Sequence, residues 1–250
     1  MSSSIWTRCA ATFERVVLDR AVWRVVEAQH QVSTRKLVDT DAEQLLLEQM
    51  IESVKPPLTV GAQMHYLLFT PFRYPPLRHG SRFARRTVSS LWYGAESLAS
   101  AFAEVAYYRF VFLEGTTALL GTIETELTAF QADLYTENGA DLTAPPFDAF
   151  RTVIASPVDY TETQALGDEL RAVGVEALRY PSARDPEGGT NVGLCTPAAL
   201  RGAPHGLESW HCSAGPARVE LSRRDYFNRA FYTFSRDIFL VNGSLPVPAL

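Results

Sequence analysis

Between about Ser4 and Gln31, Val16, Val17, Trp23, Val25 and Val26 stand among arginines and glutamates in a pattern closer to a helical stripe than to alternation, which predicts a helix. A second helix is predicted where Thr40 and Glu43 take capping-box spacing and Leu45, Leu46, Met50, Ile51 and Val54 follow at helical intervals. The Pro56-Pro57 pair ends this helical stretch. Two domains result: residues 1–58 as a helical N-terminal extension, and residues 59–250 as the main body.

In the body, His65–Thr70 (HYLLFT) reads as a buried strand, and Pro71–His79 as a proline-rich loop. From Gly80 to Arg109 a basic loop leads into a short aromatic strand (Leu91, Trp92, Tyr93), a turn at Gly94, and a helix opened by Ser97. Leu98, Phe102, Val105, Ala106 and Phe110 give that helix its core face. Further strands are predicted over Ala118–Phe130, Val175–Tyr180, Val192–Cys195, Arg218–Leu221 and Asp237–Val241. Residues 139–146 read as a loop, Thr161–Val173 as a helix stopped at Gly174, and Arg224–Ala230 as helical. Helices and strands in this order predict an α+β fold.

Composition narrows the function classes. A chain of 250 residues with 46% hydrophobic and 20% charged residues suits an ordinary folded protein. Its net charge of −5 argues against broad attraction to nucleic acid. No apolar run reaches the ~18 residues of a membrane span. Three cysteines without framework spacing, and an N-terminus unlike a signal peptide, predict a reducing cytoplasm.

Candidate chemistry gathers in the middle of the chain. Arg73, Arg78, Arg82, Arg85 and Arg86 crowd the segment before the aromatic strand, and a guanidinium matches two phosphate oxygens at once. A solvated basic loop is the plainer reading of that cluster. Tyr93 offers a flat face for a heteroaromatic ring, or is an ordinary core tyrosine. Glu104 lies in the apolar run ASAFAEVAYY, where a buried carboxylate needs a partner and could support positive charge beside a sugar. Ser182 follows a predicted strand, where ligand-binding side chains often gather, though a polar turn residue also belongs there. No P-loop, nucleophile elbow or dinucleotide fingerprint is present. His205, His211 and Cys212 lack zinc spacing, and His30 and His65 are isolated, so no metal is expected.

The ordered set Arg82, Tyr93, Glu104 and Ser182, carried by RF (82–83), LWYGAES with ASAFAEVAYYR, and LRYPSAR with GGTNVGL, resembles the RES domain family, although Gly80-Ser81 stand where many members have a glycine pair and a tryptophan nearby. The resemblance implies an ADP-ribosyltransferase-like fold, a split mixed sheet with flanking helices, with NAD as substrate and phosphate as a co-substrate in some members. It also implies an Xre-like antitoxin as partner. By the same resemblance Arg82 would hold phosphate, Tyr93 would pack against nicotinamide, Glu104 would position the ribose and support the transition state, and Ser182 would complete the pocket. Arg73 with Tyr74 would match an upstream arginine of the family, and Asn191 would lend support. The implied activity is cleavage of NAD by phosphorolysis or hydrolysis; protein ADP-ribosylation and a non-catalytic interaction module are the alternatives. The N-terminal segment lies outside the family's minimal domain, which leaves room for a role in oligomerisation.

Overall fold

The computed structural model describes residues 4–28, 37–56, 64–74, 79–88, 90–118 and 120–247. In chain order the elements are α1 (Ile5–Cys9), β1 (Val16–Glu27), α2 (Asp41–Val54), α3 (Tyr66–Arg73), β2 (Trp92–Ala95), α4 (Leu98–Glu114) and β3 (Ile123–Asp141). Then come α5 (Arg151–Ile154), α6 (Thr161–Ala172), β4 (Ala177–Pro181), β5 (Thr190–Leu194), β6 (Leu200–Ala214), β7 (Arg218–Arg223) and β8 (Phe231–Ser235). The fold is α+β, with an eight-stranded mixed sheet.

The sheet is built around β3. One edge of β3 pairs antiparallel with β1 from Val16↔Gly139 to Glu27↔Leu127. It also pairs antiparallel with β6 from Ile123↔Ala214 to Leu134↔Leu200, and parallel with β4 at its far end, Gly139↔Ala177 to Asp141↔Arg179. From β4 the hydrogen bonds pass to β5 and β2 and return to β1 at Trp23↔Ala95, so β1-β2-β5-β4-β3 closes on itself while β6-β7-β8 extends outward.

Alternation along β3 separates two cores. Leu127 and Ala129 face a cluster that contains Phe102, Phe110, Trp210 and Phe234. Phe130, Ala132 and Leu134 face the opposite cluster, with Leu68, Trp92 and Leu194. In α4, Phe102, Tyr107 and Phe110 are fully buried, each worth about 1.5–3 kcal/mol of apolar burial. A third cluster around Phe83, Leu166 and Leu178 lies under α6.

The helix expected across 4–31 is largely a strand. In β1, Trp23 and Val25 pack on one core while Val16, Leu18, Val22 and Val26 pack on the other, so apolar residues occupy odd and even positions alike. A strand that packs apolar residues on both faces over part of its length, as β1 does from Val22 to Val26, loses its alternation there and mimics a stripe. The sheet therefore crosses the division drawn at residue 58. By contrast α2 forms as expected, with the Thr40 hydroxyl accepting from the Glu43 N–H and the Glu43 carboxylate from the Thr40 N–H.

Other expectations shift. HYLLFT is helical: the His65 ring accepts from the Leu67 N–H, and α3 continues through Pro71 to Arg73. A short apolar run does not distinguish a buried strand from a helix. Gly94 lies within β2, the strand at Ala118–Phe130 moves to β3 and runs through part of the expected loop, and Asp237–Val241 begins as a 3₁₀ turn. The segment 224–230 is irregular and leads into β8. The expected helix at Thr161 forms, and Gly174 follows it at φ +81°.

Candidate active site

A cavity of about 400 Å³ opens between α4, β1 and the 81–95 segment. α4 contributes Ala101, Glu104, Val105 and Tyr108, which recur on one helical face, while the Phe102 and Phe110 side chains serve the core. Ser97 caps the helix by accepting from the Ser100 N–H, which fixes where Glu104 emerges.

Glu104 Oε1 accepts hydrogen bonds from Asn191 Nδ2 at 2.7 Å and Ser182 Oγ at 3.2 Å. The directions follow from the inventory of donors. Ser182 Oγ already accepts from the Arg184 and Asp185 N–H groups, so its one proton goes to the carboxylate. Asn191 must turn its amide nitrogen toward Glu104, which leaves its Oδ1 buried without a partner. Among the described residues none donates to Glu104 Oε2. Ser100 Oγ donates to Asp185 Oδ2 at 2.5 Å, tying the loop after Ser182 to α4 one turn before Glu104.

Arg82 is buried in the cavity wall, its Nη1 donating to the Ile154 and Ser156 carbonyls, each at 2.9 Å. Its guanidinium lies 4.4 Å from the Tyr160 ring centroid. A second arginine, Arg24 of β1, lines the same cavity, donates to the Tyr93 carbonyl at 2.5 Å, and stacks on Trp92. Its Nε is sealed from solvent without a partner, and burial pulls its pKa down to about 10. Neither arginine pairs with a carboxylate among the described residues. Arg82, buried without a counter-charge, and the partly exposed Arg24 make the cavity receptive to an anion.

Tyr93 lines the cavity with its hydroxyl held by Ser81 Oγ (2.9 Å) and the Phe83 N–H (3.3 Å). Burial, more than any neighbouring charge, pushes its pKa to about 12, and burial does the same for Tyr107. Both phenols are therefore neutral at working pH. The linkage has a definite sign. In the unfolded chain they ionise near pH 10 while the fold resists until about 12, so stability present below pH 10 is lost between those values. Each contributes about 1.4 kcal/mol of loss per pH unit in that window, partly offset by Arg24, which the fold releases from its proton early. An alkaline titration should thus show one group of tyrosines ionising near pH 10, and a second group only as circular dichroism reports unfolding. Phenolate absorbance that rises in one step before any unfolding would contradict this burial.

Not every residue expected at the site arrives there. Arg73 is held by the Pro56 carbonyl and Glu52, and with the exposed Tyr74 it stays off the cavity wall. The further arginine of the cavity is Arg24 instead. Ser182 also stays off the wall and reaches the cavity through its hydrogen bond to Glu104. Arg85 pairs with Asp168, Arg86 is exposed, and Arg78 and His30 fall outside the described residues. His205 pairs with Asp133, and His211 sits between Glu124 and Glu126.

The RES domain family model matches residues 56–214, a span that holds Arg82, Tyr93, Glu104, Ser182 and Asn191. The chain belongs to the RES domain family. No curated protein matches it. The RES match begins after β1, so Arg24 and the wall that carries it lie outside the matched span. Among the described residues, no helix is long and apolar enough to cross a membrane.

Proposed function

We propose that this RES-domain protein cleaves the nicotinamide–ribose bond of NAD, passing the ADP-ribosyl group to phosphate or water. The observation that carries the reading is the carboxylate of Glu104, held through Oε1 by Ser182 and Asn191 with Oε2 unclaimed, in the wall of a cavity that also holds two uncompensated arginines.

In this reading the bond from ribose C1″ to the pyridinium nitrogen breaks, and its electron pair leaves with neutral nicotinamide. Positive charge develops on the ribose, and Glu104 stabilises it from a position it already holds, so little reorganisation is needed. Asn191 and Ser182 keep the carboxylate turned toward the ribose. Tyr93 packs against the nicotinamide. Arg82 and Arg24 take the phosphoryl groups of the dinucleotide or of the incoming phosphate. A phosphate oxygen then bonds to C1″ to give ADP-ribose 1″-phosphate, or water adds there to give ADP-ribose and a released proton. An Xre-like antitoxin that covers the cavity is proposed with this activity, on the strength of the family resemblance.

The test incubates purified protein with NAD in phosphate and in phosphate-free buffer and identifies products by mass. Nicotinamide release is expected, with ADP-ribose 1″-phosphate formed only where phosphate is present if phosphate is the acceptor. ADP-ribose found on protein instead would assign the acceptor to a side chain. NAD left intact in both buffers by folded, partner-free protein would overturn the reading.

A further inference from the structure

The cavity has a closed end and an open one. At the closed end Arg82, Tyr180 and Asn191 are buried. At the open end Tyr108 is 54% exposed, and Glu27 of β1 meets Arg109 of α4 across the rim, Nη2 to Oε1 at 2.8 Å. The two partners differ: the Glu27 side chain is 64% exposed and that of Arg109 only 17%. Arg109 is thus held in place by its surroundings, while the carboxylate opposite it stands largely in water. A carboxylate so exposed is only weakly held, so exchanging it for another anion costs little.

Distance along α4 says which anion. Arg109 lies five residues beyond Glu104, about 7–8 Å along the axis and about 140° around it, so the two stand at opposite edges of the stripe of α4 that lines the cavity. A ribose with the first phosphoryl group on its 5″ oxygen spans a comparable length, so a ribose placed at Glu104 directs its diphosphate toward Arg109. The guanidinium fork suits phosphoryl oxygens. Beside it the exposed Tyr108 ring offers a flat surface that a purine would cover.

We propose that the open end of the cavity is the subsite for the adenosine diphosphate half of the dinucleotide, where Arg109 exchanges the Glu27 carboxylate for a phosphoryl oxygen and Tyr108 stacks on the base. The inference deepens the proposed NAD reading and takes the identity of its ligand from it. Arg82 and Arg24 remain at the inner end, for the nearer phosphoryl group or the incoming phosphate.

The two members of the rim pair should act in opposite directions, which a merely structural ion pair would not do. ADP itself is the probe, with binding measured by calorimetry. Arg109→Ala should weaken ADP binding about tenfold or more, the scale of a lost charge-assisted hydrogen bond. Arg109→Lys should restore part of the loss. Glu27→Gln should tighten binding a few-fold, and Tyr108→Ala should weaken it. Glu27 and Tyr108 are exposed enough that these two variants keep the test available if Arg109→Ala melts early. Failure of the wild-type protein to bind ADP, an unchanged affinity in Arg109→Ala, or shifts of one sign for Arg109→Ala and Glu27→Gln would overturn the subsite. Arg109-dependent ADP binding by a protein that leaves NAD intact would keep the subsite and remove the cleavage reading. NAD cleavage with an unchanged KM in Arg109→Ala would do the reverse.

Discussion

If the proposed activity holds, Glu104→Gln is expected to lower the rate of NAD cleavage by about 10²–10³-fold, the scale of losing one preorganised electrostatic group, and to leave NAD binding little changed. Glutamine is the informative replacement because its amide oxygen can take the place of Oε1. The hydrogen bonds from Asn191 and Ser182 then survive, and only the charge and the second carboxylate oxygen are lost. A fall in kcat with KM and melting temperature unchanged places the residue in the transition state rather than in the scaffold. If kcat is retained, the carboxylate is a structural acceptor, and the catalytic assignment fails.

Gly167→Ala is expected to cost about 1–2 kcal/mol of stability, although alanine is the better helix former. Propensity alone favours the variant by about 1 kcal/mol. Against that, a Cβ at this position in α6 would lie 2.1 Å from the Phe83 carbonyl oxygen and 2.8 Å from its carbon. These are backbone atoms, and the oxygen is further held by Arg171 Nη1 at 2.7 Å, so the strand of chain cannot yield freely. Overpacking of this kind costs about 1–3 kcal/mol, occasionally more, and it wins. Phe83 is next to Arg82 and donates its N–H to Tyr93, so the same displacement disturbs two residues of the cavity. Urea unfolding checks the first effect by a lower midpoint at constant slope, and the NAD assay checks the second. An unchanged midpoint would mean that the 81–84 turn can retreat from α6.

Much of the site was legible from side-chain chemistry, because its central residues lie in or beside elements with local signals. Ser97 marks the start of α4, and Glu104 is conspicuous in an apolar run. Ser182 and Asn191 flank a turn between short strands, and the structure brings both to Glu104 Oε1. Arg24 was hidden for a physical reason. It stands in the half of β1 that packs apolar residues on both faces, where the alternation that would have marked it as a sheet residue is absent. The Arg73-Tyr74 pair, by contrast, looked suitable in composition, but Glu52 and the Pro56 carbonyl engage that guanidinium before any ligand could. β6 escaped notice because Gly202, Pro204 and Gly206 interrupt its pattern, and its register on β3 shifts in the same region. Such irregularity is set by pairing with a distant strand, which no local window contains.

The pairing of β1 with β3 also sets the order in which the site can come into being. Val16 finds its partner in Gly139, so apart from the single Trp23↔Ala95 pairing with β2 the first strand made waits for its ladder until more than half the chain has been synthesised. Contacts this remote in sequence form late, after the loop between them has been closed at an entropic cost. Glu104 is synthesised well before Ser182 and Asn191, the two residues that aim it. An interrupted chain would carry the carboxylate without its holders, and activity would arrive only with the strands that complete the ring.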